Sequence, residues 1–194
     1  PVERAAEHRQ RGLGREPEPV TELVVLADAA GRPAGTADKA RVHTADTPLH
    51  FAFSAWVFRG DDVLVTRRAL GKKTWPGVWT NSFCGHPGPG EATVDAVVRR
   101  AAFELGIAPA ALDDVTCVSP DYAYRATDSS GIVENEICPV YRCTLADGAR
   151  VRPNPEEVDD YAWVRASDLS QAVRRAPFAF SPWMVEEIEL DGVI

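Results

Sequence analysis

Between Leu49 and Ile107 the hydrophobic repeat changes from two residues to a helical one, which excludes both an all-helical and an all-β chain. "LHFAFSAWVF" and "VLVTR" are aromatic and β-branched on either side of the polar "RGDD", the pattern of a β-hairpin. "VWTNSFC" reads as one further strand. From Glu91 onward, Val94, Val97, Val98, Ala101, Ala102 and Leu105 recur at helical spacing, and Gly106 stands where a helix C-cap belongs. Upstream, "TELVVLAD" is a strand and "AAGRP" a turn into a second short one. Downstream, "DVTCVS" and "GIVENEICPVYRCTL" read as strands, with Pro139 marking a bulge or an edge. "YAWVR" is a last strand, "SDLSQAVRRA" a helix capped by its serine, and "SPWMVEEIEL" a helix with Pro182 in its first turn. Mixed strands among a few helices predict an α+β fold, layered as an α/β/α sandwich.

A chain of 194 residues is long enough to bury a substantial core in one domain. Residues 21–194 read as a single unit. Residues 1–20, "PVERAAEHRQRGLGREPEPV", are charged, contain Pro and Gly and lack an apolar h-region, so a flexible arm is expected there. No apolar run approaches the roughly 20 residues of a membrane span. The net charge of −8 argues against a nucleic-acid partner. Within it, Arg67, Arg68, Lys72 and Lys73 cluster, and Arg99 and Arg100 follow, a pattern suited to a small anionic ligand. The four cysteines show no CxxC spacing, so free thiols in a reducing, cytoplasmic setting are expected.

"WTNSFCGHPGPGE" sets Cys84 two positions before His86, on one face if the segment is a strand. It reads either as a buried thiol beside a satisfied imidazole or as a reactive cysteine beside a metal ligand. His43 and His50 lie in the same strand-rich half. Glu134 and Glu136 share one face of a strand, about 6.6 Å apart. They form either a solvated face or a buried pair that needs a cation. Three imidazoles with two carboxylates suit an ion such as Mn, Fe or Zn, whereas all-oxygen sites suit Mg or Ca. Arg100 and Glu104 are i,i+4 neighbours: a surface ion pair, or a pocket pair in which the carboxylate holds Mg and the guanidinium takes a phosphate oxygen.

Four blocks, "HTADTPLHFAFSAWVF", "VTRRALGKKTWPGVWTNSFCGHPGPGE", "YRATDSSGIVENEICPV" and "FAFSPWM", together resemble the type 1 isopentenyl-diphosphate Δ-isomerase family, from about Thr21 to the last helix. The resemblance implies a Nudix-type mixed sheet flanked by helices. The Nudix box, G-x5-E-x7-R-E-U-x-E-E-x-G-U, is met at Gly85, Glu91, Arg99, Glu104, Gly106 and Ile107. It is broken at Arg100 and Phe103, where the resemblance would place metal-binding glutamates in a hydrolase. By the same resemblance His43, His50, His86, Glu134 and Glu136 bind one divalent ion, Mn or Zn, and Glu104 holds a Mg ion on the substrate diphosphate. Lys39, Arg68, Lys72 and Arg100 match the basic positions around that diphosphate. Cys84 and Glu136 match the two catalytic groups, Tyr124 sits beside the acid, and Trp183 faces the reacting carbons. The implied reaction is the reversible 1,3-allylic shift of isopentenyl diphosphate to dimethylallyl diphosphate, in isoprenoid biosynthesis. The expected partner is a prenyl diphosphate, with neither nucleic acid nor membrane, and the chain is expected to be a monomer or a weak homo-oligomer. Rival readings are a Nudix hydrolase, a non-catalytic ligand-binding Nudix domain and a Zn-stabilised structural domain.

Overall fold

A computed structural model describes residues 22–194, so the arm expected over residues 1–20 lies outside the described residues. The chain opens with an antiparallel pair, β1 (Leu23–Ala27) and β2 (Pro33–Asp38), and a single helical turn, α1 (Lys39–Val42). β3 (His50–Phe51) and β4 (Phe53–Arg59) follow, separated by Ala52. β5 (Asp62–Arg68) folds back on β4 around Gly60 and Asp61, with Phe58 opposite Val63. Gly60 has φ 60°, the left-handed conformation such a two-residue turn requires. The hairpin expected from "RGDD" is therefore present.

The single strand expected over "VWTNSFC" is instead two, β6 (Trp79–Thr80) and β7 (Phe83–Gly85). β6 pairs with β5 and β7 with β4, so the break falls where those two strands part. Ser82 fills the break: its hydroxyl accepts from Val57 N (2.7 Å) and donates to Leu64 O (2.6 Å). A side chain thus replaces the ladder bonds that a continuous strand would make.

Helix α2 (Thr93–Leu105) starts two residues after Glu91 and ends at Gly106, whose φ of 62° is the expected left-handed cap. Its buried Ala96, Val97, Ala101 and Leu105 pack with Phe53, Ala55 and Val57 of β4. β8 (Leu112–Ser119), β9 (Ala123–Thr127), β10 (Val133–Ile137) and β11 (Val140–Leu145) continue the chain. Pro139 marks no sheet edge, but the expected irregularity follows it, where the register of β11 with β8 shifts between Val140 and Tyr141. It lies between β10 and β11 where the chain passes from one sheet to the other, and its carbonyl accepts from Ser54 N at 3.1 Å.

β12 (Val158–Arg165) runs straight into α3 (Ala166–Arg175). The expected serine cap is absent, because Ala166 N donates to Asp61 O at 3.0 Å and lets the helix begin at once. In α4 (Pro182–Glu187) the hydroxyl of Ser181 accepts from Met184 N, and Pro182 occupies the first turn as expected.

Two sheets result, ordered β2-β1-β3-β10-β9 and β12-β5-β4-β11-β8, with β6 and β7 attached to the second. The second sheet is covered on both faces. Phe53, Ala55 and Val57 meet α2, whereas Trp56 and Phe58 meet Leu169 and Val173 of α3 and Trp183 and Met184 of α4. That layering is the α+β sandwich read from the sequence. Burying a side chain of this size contributes about 1.5–3 kcal/mol.

Gly106 is held twice, by its φ and by space. A Cβ there would lie 2.5 Å from Arg152 O. Gly106→Ala should therefore destabilise the protein by at least about 2 kcal/mol, lowering Tm by several degrees in a thermal melt. An unchanged Tm would show that the cap does not constrain the helix end.

Candidate active site

The two sheets are stitched by two parallel strand pairs lying side by side. β10 pairs with β3, setting Glu136 beside His50, and β11 pairs with β4. Ala52 N donates to Ile137 O (2.9 Å) at the crossing itself. Strand alternation turns Glu134 to the same face as Glu136, His86 follows β7, and His43 follows α1.

Four of these residues, His43, His50, His86 and Glu136, present ligand-type atoms within 4.8 Å of one another. Nδ1 of His50 donates to Pro48 O at 2.9 Å, which leaves Nε2 with its lone pair facing inward. That lone pair lies 3.3 Å from Glu136 Oε1 and 3.2 Å from His86 Nε2. Lone pairs so close repel unless a cation or a proton lies among them. His43 Nε2 and Glu134 Oε2 are 2.9 Å apart, yet neither makes an aligned hydrogen bond. Unaligned buried donors aimed at a common point fit a divalent metal ion, and the nitrogen-rich set with carboxylate suits one. Thr74 donates to the other oxygen of Glu134 at 2.6 Å and so fixes its orientation.

The electrostatics follow this packing. Burial works to raise Glu136, but the imidazoles of His43, His50 and His86 gathered around it hold it well below the carboxylate range. Burial opposes charge on His43, yet Glu134 and Glu136 raise it from 6.5 to about 9. Burial lowers His86.

His43, His86, Glu134 and Glu136 line a cavity of about 700 Å³, whose wall also includes Cys84, Tyr124 and Trp183, and His50 is buried behind it. Cys84 lies on β7 opposite Ser54 of β4, and Tyr124 lies on β9 opposite Glu136. The rings of Tyr124 and Trp183 are 5.7 Å apart between centroids. Burial, then the Glu187 and Glu136 carboxylates, push the Cys84 thiol up, so it stays protonated.

The cavity wall is also basic: Lys39, Arg68, Lys72 and Arg100 all line it. Arg100 and Glu104 are not a surface pair, being 5% and 7% exposed, and Arg100 Nε donates to Glu104 Oε1 at 2.9 Å. Gly85 lets the helix come this close, since a Cβ there would meet Arg100 Cγ at 2.8 Å. Arg68 is held by Thr74 O at 2.9 Å and lies 5.4 Å from the Trp183 ring. Burial brings Lys72 down from 10.5 to about 8. The remaining box residues close the loop before α2, where Glu91 accepts from Arg99 Nε (2.7 Å) and from Gly88 N (2.8 Å).

Sequence reasoning missed Thr74, Asn81, Glu157 and Glu187. Glu157 lies in the turn before β12, where it pairs with Lys72 and, at 3.3 Å, with Arg100. Glu187 lies on the buried side of α4 and accepts from Ser54 Oγ (2.7 Å) and Trp56 Nε1 (2.6 Å). The one sequence signal for Glu187 was an acid four residues after Trp183, on the same face of a helix.

A NUDIX domain model matches residues 48–184. Among solved structures, DR0079 from Deinococcus radiodurans superposes with a TM-score of 0.63 at 17% identity, covering 86% of this chain and 97% of that one. The MutT NUDIX hydrolase from Burkholderia pseudomallei does so with a TM-score of 0.56 at 22% identity, covering 74% and 98%. The fold is thus that of the Nudix proteins. Sequence likeness is much closer elsewhere. The isopentenyl-diphosphate Delta-isomerase of Corynebacterium diphtheriae is 59% identical over 173 residues, 89% of this chain and 94% of that protein. The protein of the same name from Agromyces mediolanus is 58% identical over 176 residues, 90% and 83%. The chain belongs to the isopentenyl-diphosphate Delta-isomerase family.

Burial raises the Glu187 carboxyl from 4.5 to about 8. Between those values the folded protein holds a proton that the unfolded chain releases, so this group makes stability fall as pH rises. Glu187→Gln removes the titration. The Tm of that variant minus that of the wild type should therefore grow from pH 5 to pH 8, measured by thermal melts in matched buffers. A difference constant with pH would mean that Glu187 titrates normally.

Proposed function

We propose that this chain interconverts isopentenyl diphosphate and dimethylallyl diphosphate, as its relatives' name implies, by moving one proton onto an alkene carbon and another off the carbon two bonds away. The observation that carries this reading is one cavity lined both by Cys84, Glu136, Tyr124 and Trp183 and by Lys39, Arg68, Lys72 and Arg100. An unactivated alkene is a very weak base, so two positioned proton-transfer groups are needed. Cys84 and Glu136 hold and move those protons, with Tyr124 beside Glu136. Trp183 offers a π face to the developing cation and, with the buried wall around it, keeps water away.

The basic groups hold the diphosphate away from the reacting carbons, so their contacts orient and retain substrate. His43, His50, His86, Glu134 and Glu136 would hold one divalent ion, Mn or Zn by their donor types. Glu104 would hold Mg together with the diphosphate. The ions supply positive charge that balances buried carboxylates and fixes their orientation. Arg100 and Phe103 stand where the box of a hydrolase carries acids, and the Arg100 guanidinium lies 4.8 Å from the Phe103 ring centroid. A cation and a phenyl ring there favour diphosphate retention over its hydrolysis.

Purified protein with isopentenyl diphosphate and Mg should yield the dimethylallyl isomer, separated chromatographically, without phosphate release. Cys84→Ala should lose at least about a hundredfold in turnover while still binding substrate. Phosphate release from wild type, or substantial turnover by Cys84→Ala, would overturn the reading.

Lys72→Ala should raise KM about tenfold or more, the worth of one charge-assisted bond, with a smaller effect on kcat. Steady-state kinetics decide it, and an unchanged KM would place the diphosphate elsewhere.

A further inference from the structure

At the break between β6 and β7 the chain buries Asn81, which is 0% exposed, directly behind the thiol and the indole of the cavity wall. Its amide has only one workable orientation. Nδ2 donates to Ala55 O (3.0 Å) and Phe83 O (2.9 Å), main-chain oxygens that only accept. Oδ1 accepts from Trp183 Nε1 (2.9 Å), an indole N–H that only donates. A flipped amide would set like against like at all three contacts. Cys84 Sγ lies 3.4 Å from both Oδ1, which accepts from it, and Nδ2, which donates to it, and Oδ1 also accepts from Thr80 Oγ1 at 2.8 Å. One carboxamide therefore serves both the thiol and the indole.

The amide is itself anchored. Its Nδ2 also lies 2.8 Å from Ser54 Oγ, so its two hydrogens are shared among these acceptors, and Ser54 Oγ in turn donates to Glu187 Oε2 at 2.7 Å. Glu187 stands one turn after Trp183 on α4, so the contacts close a ring: Asn81, Trp183, α4, Glu187, Ser54 and back to Asn81. Neighbouring Ser82 gives the contrast. It also fills the strand break, but its bonds go only to main-chain atoms of β4 and β5. A plug for the break needs nothing more than that, whereas Asn81 also turns its carboxamide toward two groups of the cavity wall.

We propose that Asn81 is a positioning residue of the isomerisation: its carboxamide sets the Cys84 thiol and the Trp183 ring relative to one another, with Ser54 and Glu187 as its anchor. The inference rests on the roles given to Cys84 and Trp183 under Proposed function. An alkene takes a proton along the normal to its plane, so the thiol must aim at a carbon whose other boundary is the indole face. A misplacement of about 1 Å costs about a hundredfold in rate.

Asn81→Ala should lower kcat about a hundredfold, while KM for isopentenyl diphosphate stays within about threefold because the diphosphate contacts are untouched. Combined with Trp183→Phe, which lacks the indole N–H, it should cost at least about fivefold less than the product of the two single losses. If Asn81→Ala fails to fold, Ser54→Ala releases the anchor while keeping the main-chain bonds of Asn81, and should lower kcat about tenfold at unchanged KM. Wild-type kcat per folded molecule in the single variant, a loss confined to Tm, or strictly multiplicative losses in the double variant would make Asn81 a structural plug only. Where Asn81→Ala does not fold, wild-type kcat in Ser54→Ala overturns the inference. Cys84→Ala is the control for the underlying reading. If it turns over normally, that reading fails; if it is inactive while Asn81→Ala is not, only the positioning role fails.

Discussion

The two parallel strand pairs that cross together from the small sheet to the large one govern the rest of the molecule. Parallel neighbours need long connections, and here everything from β4 to β9 lies between the two crossings. The crossing sets His50 against Glu136 in the small sheet and Ser54 against Val140 in the large one, so the imidazole–carboxylate cluster and the thiol share one seam. β7 joins the same seam through Ser54 and Cys84. The crossing is therefore what turns residues from distant parts of the chain toward a single cavity.

That cavity concentrates opposite charges in a protein with a net charge of −8. Carboxylates crowd there with imidazoles and with guanidinium and ammonium groups. Buried charge is tolerated only when paired, and Lys39, Lys72 and Arg100 each face a carboxylate while Glu134 and Glu136 face imidazoles. Glu187 is the exception, with hydrogen-bond donors but no cation, and its carboxyl responds by keeping its proton.

Features set by local physics were legible in the sequence. The hairpin at Gly60, the helix ending at Gly106 and the pairing of Glu134 with Glu136 on one strand face all follow from period and turn chemistry. The start of α3 was not legible, because a carbonyl from the loop before β5 outweighs the serine cap. The break at Asn81 and Ser82 was hidden because both residues are compatible with a strand, and only the parting of β4 and β5 calls for side chains there. Pro139 looked like an edge because the passage between sheets is a tertiary event. In and behind the cavity, Cys84, the three histidines, Glu134, Glu136, Arg68, Lys72, Arg100 and Glu104 stood out by residue type and spacing, whereas Lys39, Tyr124 and Trp183, and the role of each residue, came from motif resemblance. Glu157 belongs to no periodic pattern, and its meaning depends on where Lys72 and Arg100 happen to lie.

The hydrogen-bonded ring through Ser54 and Glu187 joins residues 133 positions apart. Closing a contact of that span costs loop entropy, and the burial of Trp183, Met184 and Glu187 in the core offsets it. The back wall of the cavity is thus held by the six residues of α4, from the far end of the chain. Releasing α4 would break the Asn81–Trp183 and Ser54–Glu187 bonds together and uncover part of one face of the large sheet. The wall behind the candidate site and the second face of the core are therefore one structure, and a change that loosens either loosens both.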